Sequence, residues 1–303
     1  MNAMDTTIER SSKLHEDIPT LASSAMIVEV NISMWTARRK DHAATKMVLN
    51  AYNAQKGVGG FHKKLLADNE NLLAITKHVT SARDAHANMT MPWSNSGLRL
   101  LPTAQFFKYQ QTMTDKQNEF NRLVDQFIDE YDDAVIDVQV ALGNLFSRDD
   151  YPTTGDLPSK FKFNINYSDV PTGDFRVALP AEAIAKLTTN RNADHQNNLE
   201  RAMNDVWTRL YKALTNMSDR LDYGSKEEKK VFRDTLVSNV IDMIELLRVC
   251  NVTNSSQMSA MADSLEEAMS GVTPDALRED DYFRAETKAA VDAAIKSLPS
   301  LDI

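Results

Sequence analysis

The chain has 303 residues, is 42% hydrophobic and 25% charged, and carries a formal net charge of −9. These values exclude a disordered polyanion and leave room for one large or two ordinary domains. Nine Gly and nine Pro are too few to punctuate many short strands, so long elements are expected.

The charge is unevenly placed. Residues 1–110 hold 13 Lys and Arg against 9 Asp and Glu, a balance of +4, and the remainder therefore carries −13. That polarity can guide an anionic partner to the first third of the chain. Cys250 stands alone in the apolar run Ile241–Cys250. It reads as a buried structural thiol, and no internal disulfide is possible. No uncharged run is long enough to cross a bilayer, and the first residues lack the apolar core of a secretory signal. A soluble, cytoplasmic protein is the expectation, with no membrane contact.

In chain order, residues 1–24 read as a polar lead-in. Met26–Trp35 alternates, with Ile27, Glu29, Asn31 and Ser33 opposite Val28, Val30, Ile32 and Met34, which predicts a half-buried strand. After the basic cluster Arg38-Arg39-Lys40, Asp41 caps a helix to about Gln55. Gly57-Val-Gly-Gly60 ends it. The glycines and Lys63-Lys64 lack the spacing of a phosphate loop, so a flexible turn is expected. Residues 61–88 read as helix, and residues 90–102 as a loop with a short extended piece.

Thr103 opens a long helix to about Phe146, with Phe120, Val124, Phe127, Tyr131, Val135 and Val138 on one stripe. About 40 residues would span roughly 60 Å. Phe161, Phe163, Ile165 and Tyr167 alternate as a strand, and residues 175–179 form another extended piece. With residues 26–35 these predict one small antiparallel sheet. From Pro180 the chain is helical. Leu199, Met203, Val206, Leu210, Ala213 and Met217 make a coiled-coil-like seam. Ser225 and Glu228 fit a capping box opening a helix to about Arg248. A Met-rich helix follows (Met258, Met261, Leu265, Met269), and Thr273-Pro274 caps a last helix to about Ser297.

The fold class expected is mainly α (α+β), with long amphipathic helices forming a bundle or stalk beside a small antiparallel sheet. Three regions are expected: the lead-in 1–24, an α+β region 25–180 around the long central helix, and a helical region 181–303.

Catalytic signatures are lacking in the sequence: no nucleophile elbow, no His-Glu-x-x-His, no Cys-x-x-Cys and no dinucleotide glycine fingerprint. His62, His78, Asp84 and His86 do not have the one-turn spacing of paired helical metal ligands. No enzyme activity, metal or other cofactor is expected. The residues that stand out are Trp35, Arg38, Arg39 and Lys40, with Lys63, Lys64, Arg83, Trp93 and Arg99 in the same positive part of the chain. Arginine and lysine neutralise phosphates and tryptophan stacks on unpaired bases, the parts that single-strand binding uses.

Val30-Asn-Ile-Ser-Met-Trp-Thr-Ala-Arg-Arg-Lys40 resembles the opening of a bacterial and phage family of unknown function. Arg83-Asp-Ala-His86, Thr90-Met-Pro-Trp93 and Gly97-Leu-Arg-Leu-Leu-Pro102 are similar to its second block. A third block runs from Leu145-Phe146 to Phe175-Arg-Val. The resemblance covers roughly residues 26–180. It implies a phage-type gene context beside a MoxR-type AAA+ ATPase and a von Willebrand A-type protein, with no catalytic residues to carry over. Trp35, Arg38, Arg83, His86, Pro92, Trp93 and Arg99 match its motif positions. The first functional expectation is a non-enzymatic interaction or assembly protein in the host cytoplasm, which oligomerises or docks a protein partner through its long helices. The alternative is a single-stranded DNA-binding or annealing protein using the basic N-terminal surface.

Overall fold

The computed structural model describes residues 21–171, 179–223 and 233–300. The fold is mainly α with a four-stranded sheet, in the order β4-β5-β1-β6, and a separate two-stranded ribbon, β2-β3. The strands are β1 (Ala25–Ser33), β2 (Arg38–Asp41), β3 (Phe61–Lys64), β4 (Met91–Pro92), β5 (Arg99–Pro102) and β6 (Lys162–Ser168). The helices are α1 (His42–Ala51), α2 (Glu70–Asn88), α3 (Phe106–Asp129), α4 (Tyr131–Leu142), α5 (Ala181–Leu221), α6 (Thr235–Val249), α7 (Ser256–Met269), α8 (Pro274–Glu279) and α9 (Asp281–Ser297). The chain divides into two compact units, each assembled from separated stretches: 1–29, 87–107 and 167–303 in the first, 30–86 and 108–166 in the second. Chain order therefore does not follow the units, and position 180 is not where they divide.

In the first unit β1 pairs antiparallel with β5, Ile27 opposite Leu100, and β4 with β5, Met91 opposite Leu100. The seam on α5 is used inside this unit. Leu199, Val206, Leu210 and Met217 of the predicted seam are buried in one core with residues of α6, α7 and α9, joined by Ala202 and Leu214, while Met203 and Ala213 are only partly buried. Cys250 is fully buried, and burial pushes its thiol up to about 12, where it is inert as a nucleophile. The Met-rich face of α7 is buried as its spacing predicts. One correction concerns the last helix. Asp280 interrupts it, accepting a 2.9 Å hydrogen bond from the Phe283 N–H, so α8 stops and α9 restarts on a new N-cap. The Ser225 capping box and most of the 175–179 strand lie outside the described residues.

α5 and α9 also share a polar contact that reports on pH. The Asp292 carboxylate accepts from Ser218 Oγ at 2.5 Å and from Lys288 Nζ at 2.8 Å. Hydrogen bonds from Lys288 first and Ser218 second hold its pKa below the ordinary 3.8. A depressed carboxylate contributes stability that is present above its unfolded value and lost as pH falls through the lower folded one. Asp292→Asn is therefore expected to lower the melting temperature at pH 6, with the difference from the parent narrowing below pH 3.8. A difference of constant size down to pH 2 would contradict this assignment.

In the second unit the predicted stripe on α3 and α4, Phe120, Val124, Phe127, Tyr131, Val135 and Val138, is buried, and Tyr109 and Met113 extend it. It carries an aromatic cluster. Phe120 meets Phe163 with ring centroids 5.6 Å apart, and Phe127 meets Phe161 at 5.7 Å. The Tyr131 hydroxyl donates to the Pro152 carbonyl and the Tyr151 hydroxyl to that of Leu65, and burial pushes both phenols up to about 12. The rod expected over 103–146 is interrupted. A 3-10 turn occupies Thr103–Gln105, the helix breaks at Glu130, and Gly143, with φ +49°, ends α4. The helix expected from residue 61 begins only at Glu70, where Asn69 caps it by accepting from the Leu72 N–H. Phe61–Lys64 is a strand, because it pairs with β2 along its whole length.

Candidate basic docking surface

The two-stranded ribbon gathers the basic residues that the sequence separates. β2 and β3 run antiparallel with Arg38 opposite Lys64, Arg39 opposite Lys63, Lys40 opposite His62 and Asp41 opposite Phe61. Alternation puts Arg39, Asp41, Phe61 and Lys63 on one face and Arg38, Lys40, His62 and Lys64 on the other.

The first face is the anchored one. Lys63 is 7% exposed, and its Nζ lies 2.5 Å from Asp150 and 3.3 Å from Asp41. It also donates to the Leu145 carbonyl at 2.6 Å. Burial pushes the Lys63 ammonium down, but pairing with Asp150 and Asp41 more than offsets it, leaving the pKa above its ordinary value. Asp150 takes a second cation, Arg39 Nε at 2.9 Å. The acidic pair Asp149-Asp150 is thus an anchor for the ribbon, Asp149 accepting from Arg39 through its carbonyl.

The second face is different. Among the described residues Arg38, Lys40 and Lys64 have no acidic partner, and all three are exposed. An added Cβ at Gly60 would meet Lys40 Cε at 3.2 Å and His62 Cε1 at 3.7 Å, so these two side chains lean over the same point of backbone. Cations directly opposite one another across a ribbon are destabilising. Here the cation pair Arg38–Lys64 stands unneutralised on the surface, a departure from local preference of the kind that working surfaces carry.

α1 follows β2 and returns to β3 through the Gly57–Gly60 turn, where Gly57 adopts φ +100°. Asp41 Oδ1 accepts from the Ala44 N–H at 2.8 Å, the predicted cap. Thr45 Oγ1 donates to the Asp41 carbonyl and accepts from the Phe61 N–H, which ties the helix to the ribbon. Yet α1 buries none of its residues. Met47 is 73% exposed, Tyr52 81% and Val58 71%. The 27 residues 38–64 hold seven Lys and Arg against Asp41 alone, a balance of +6, so the other 276 carry −15 of the total −9.

The remaining sequence candidates are built into the fold. Trp35 packs on Tyr131 and Phe127, with ring centroids 5.9 and 6.4 Å away. Arg83 donates to the Ile32 carbonyl. His86 is buried, its Nδ1 2.8 Å from the Tyr109 hydroxyl. Trp93 is buried against His195 at 5.6 Å, and burial first, then Arg191, pushes that imidazole below its usual pKa. Arg99 donates to Thr90 Oγ1 and to the carbonyls of Ala87 and Thr90. The structure thus brings together Arg38, Arg39, Lys40, Lys63 and Lys64, and uses Trp35, Arg83, His86, Trp93 and Arg99 to fix loops and helix ends.

Two features went unread in the sequence. One is Asp150 as the anchor of the ribbon, which no local signal reveals. The other is that the predicted helix α1 buries none of its residues, for which a signal existed: no acid stands between His42 and Lys64. His78 Nε2 contacts the Lys116 carbonyl, and no cluster of three or more His, Cys, Asp or Glu suited to a metal occurs among the described residues. Among the described residues no helix is long and apolar enough to cross a membrane. Comparison with family models, curated proteins and solved structures found no match to the chain.

Proposed function

We propose that the chain is a non-enzymatic interaction protein that docks an anionic partner on the β2–α1–β3 segment. The observation that carries this reading is the outer face of the ribbon, where Arg38, Lys40 and Lys64 stand exposed without acidic partners beside a helix that buries nothing. Long helices were the first candidates for docking. Their apolar seams are buried inside each unit, which favours this segment over them as the docking surface. Negative charge over the rest of the chain discourages contact elsewhere and confines a polyanion to it. The resemblance to a phage family encoded beside an AAA+ ATPase fits the same reading, an adaptor acting in the host cytoplasm.

The test uses the opposition of local and net charge. A protein of net charge −9 is expected to be retained on a sulfated polysaccharide matrix at low salt and released as salt rises. Lys40→Glu with Lys64→Glu is expected to flow through. Both side chains are exposed, so the fold is unaffected. Passage of the parent chain through the matrix at low salt would defeat the reading.

A further inference from the structure

We infer that the anionic partner of the β2–α1–β3 segment is a single strand of nucleic acid, held without reading its sequence. This rests on the docking surface proposed above and names what occupies it.

The first argument is the form of the cation array. Residues two apart on a strand repeat at about 6.6 Å, and directly opposed residues stand about 5 Å apart. Arg38, Lys40 and Lys64 therefore occupy three corners of a flat two-by-two lattice, with His62 at the fourth. Lys46 and Lys56, also exposed and without an acidic partner among the described residues, extend the positive charge along α1 and the turn. A flat lattice encloses no small phosphate. It suits an extended chain of them.

The second argument separates one strand from two. Duplex DNA presents one charge per about 1.7 Å of axis, a single strand about half that density. The segment offers a handful of free cations, and the rest of the chain carries −15. A small basic footprint on an acidic body tolerates the sparser polyanion better. The third argument is apolar. Tyr52 is 81% exposed just past the end of α1. An aromatic ring beside a phosphate track can stack on any unpaired base, whatever its identity. In a duplex the base faces are already stacked, and an acidic peptide or a lipid headgroup has no such face to offer.

The experiment follows anisotropy of a labelled oligothymidine added to the full chain. Expected is binding whose logarithm falls with log salt at a slope of about −3, as for four or five phosphates on a single strand. Tyr52→Ala is expected to weaken binding about tenfold with the slope unchanged. Lys40→Glu with Lys64→Glu reduces the slope itself. Unlabelled duplex of equal length, polyglutamate and phosphatidylserine vesicles should compete at least tenfold less well than oligothymidine. Equal competition by any of the three, or indifference to Tyr52→Ala, overturns the inference. If the chain is still retained on the sulfated matrix, the docking surface survives and only the partner class is wrong. If retention fails as well, both fall.

Discussion

Lys63→Met is expected to lower the stability of the second unit by about 3 kcal/mol, the lower end of what removing one partner of a buried ion pair costs. The lower end applies because the acids it leaves are not wholly abandoned. Asp150 keeps Arg39 Nε at 2.9 Å, and Asp41 keeps the Ala44 N–H at 2.8 Å. What goes unmet is the second oxygen of Asp150 and the Leu145 carbonyl, both of which Lys63 Nζ serves. Urea unfolding read by amide exchange at Phe61–Lys64 would show the loss locally. The alkaline limb carries an independent check. A lysine whose folded pKa is raised contributes stability that is complete below the unfolded value of 10.5 and disappears as pH rises through the higher folded one. The parent should therefore lose stability above pH 10.5 by a step that Lys63→Met lacks. A loss under about 1 kcal/mol, the range of solvated pairs, would mean that water reaches Lys63 and that the ribbon is held by strand pairing alone.

The ribbon also marks where sequence stops informing structure. Met26–Trp35 alternates and is a strand over Ala25–Ser33, and Asp41 caps α1 as its position suggests. The seam of α5 and the stripe of α3 were legible for the same reason, since period and burial face are local properties of the chain. Phe61–Lys64 was not legible, because four residues carry too little period to tell strand from helix, and its strand state is fixed by pairing with β2, from Asp41 opposite Phe61 to Arg38 opposite Lys64. The interleaving of the two units is longer-range still. Among site residues, charge clustering grouped Arg38, Arg39, Lys40, Lys63 and Lys64 in one positive part of the chain, but gave neither their pairing across a ribbon nor which cations are free. Asp150 decides that, by drawing Arg39 and Lys63 to the anchored face and leaving Arg38, Lys40 and Lys64 outside.

The motif residues around Arg99 lead to a second large effect, on stability and not on docking. α2 ends at Asn88, where helix carbonyls lose their intrahelical donors and concentrate negative charge. Two guanidinium groups meet them. Arg99 donates to the carbonyls of Ala87 at 3.1 Å and Thr90 at 2.8 Å, and through Nε to Thr90 Oγ1 at 2.6 Å. Arg209 donates to the same two carbonyls at 3.0 Å each and to that of Asn88 at 3.1 Å. Thr90 is 1% exposed, so water does not replace either donor there. Hydrogen bonds to charged groups contribute about 1.5–3 kcal/mol each, but the two arginines share acceptors, so their effects cannot simply add. Arg99→Leu alone is expected to cost about 2–3 kcal/mol, with Arg209 still serving Ala87 and Thr90. Adding Arg209→Leu should cost more than the sum of the single changes by at least about 1 kcal/mol, because only then are both carbonyls unmet. Arg99→Lys should recover little of the loss, since an ammonium cannot reach three acceptors in the plane that the guanidinium fork spans. Throughout the series, retention on the sulfated matrix should equal that of the parent, provided the protein is folded. Additive single and double changes would show that each arginine serves its own acceptors. A loss of retention in folded Arg99→Leu would put this residue on the docking surface after all.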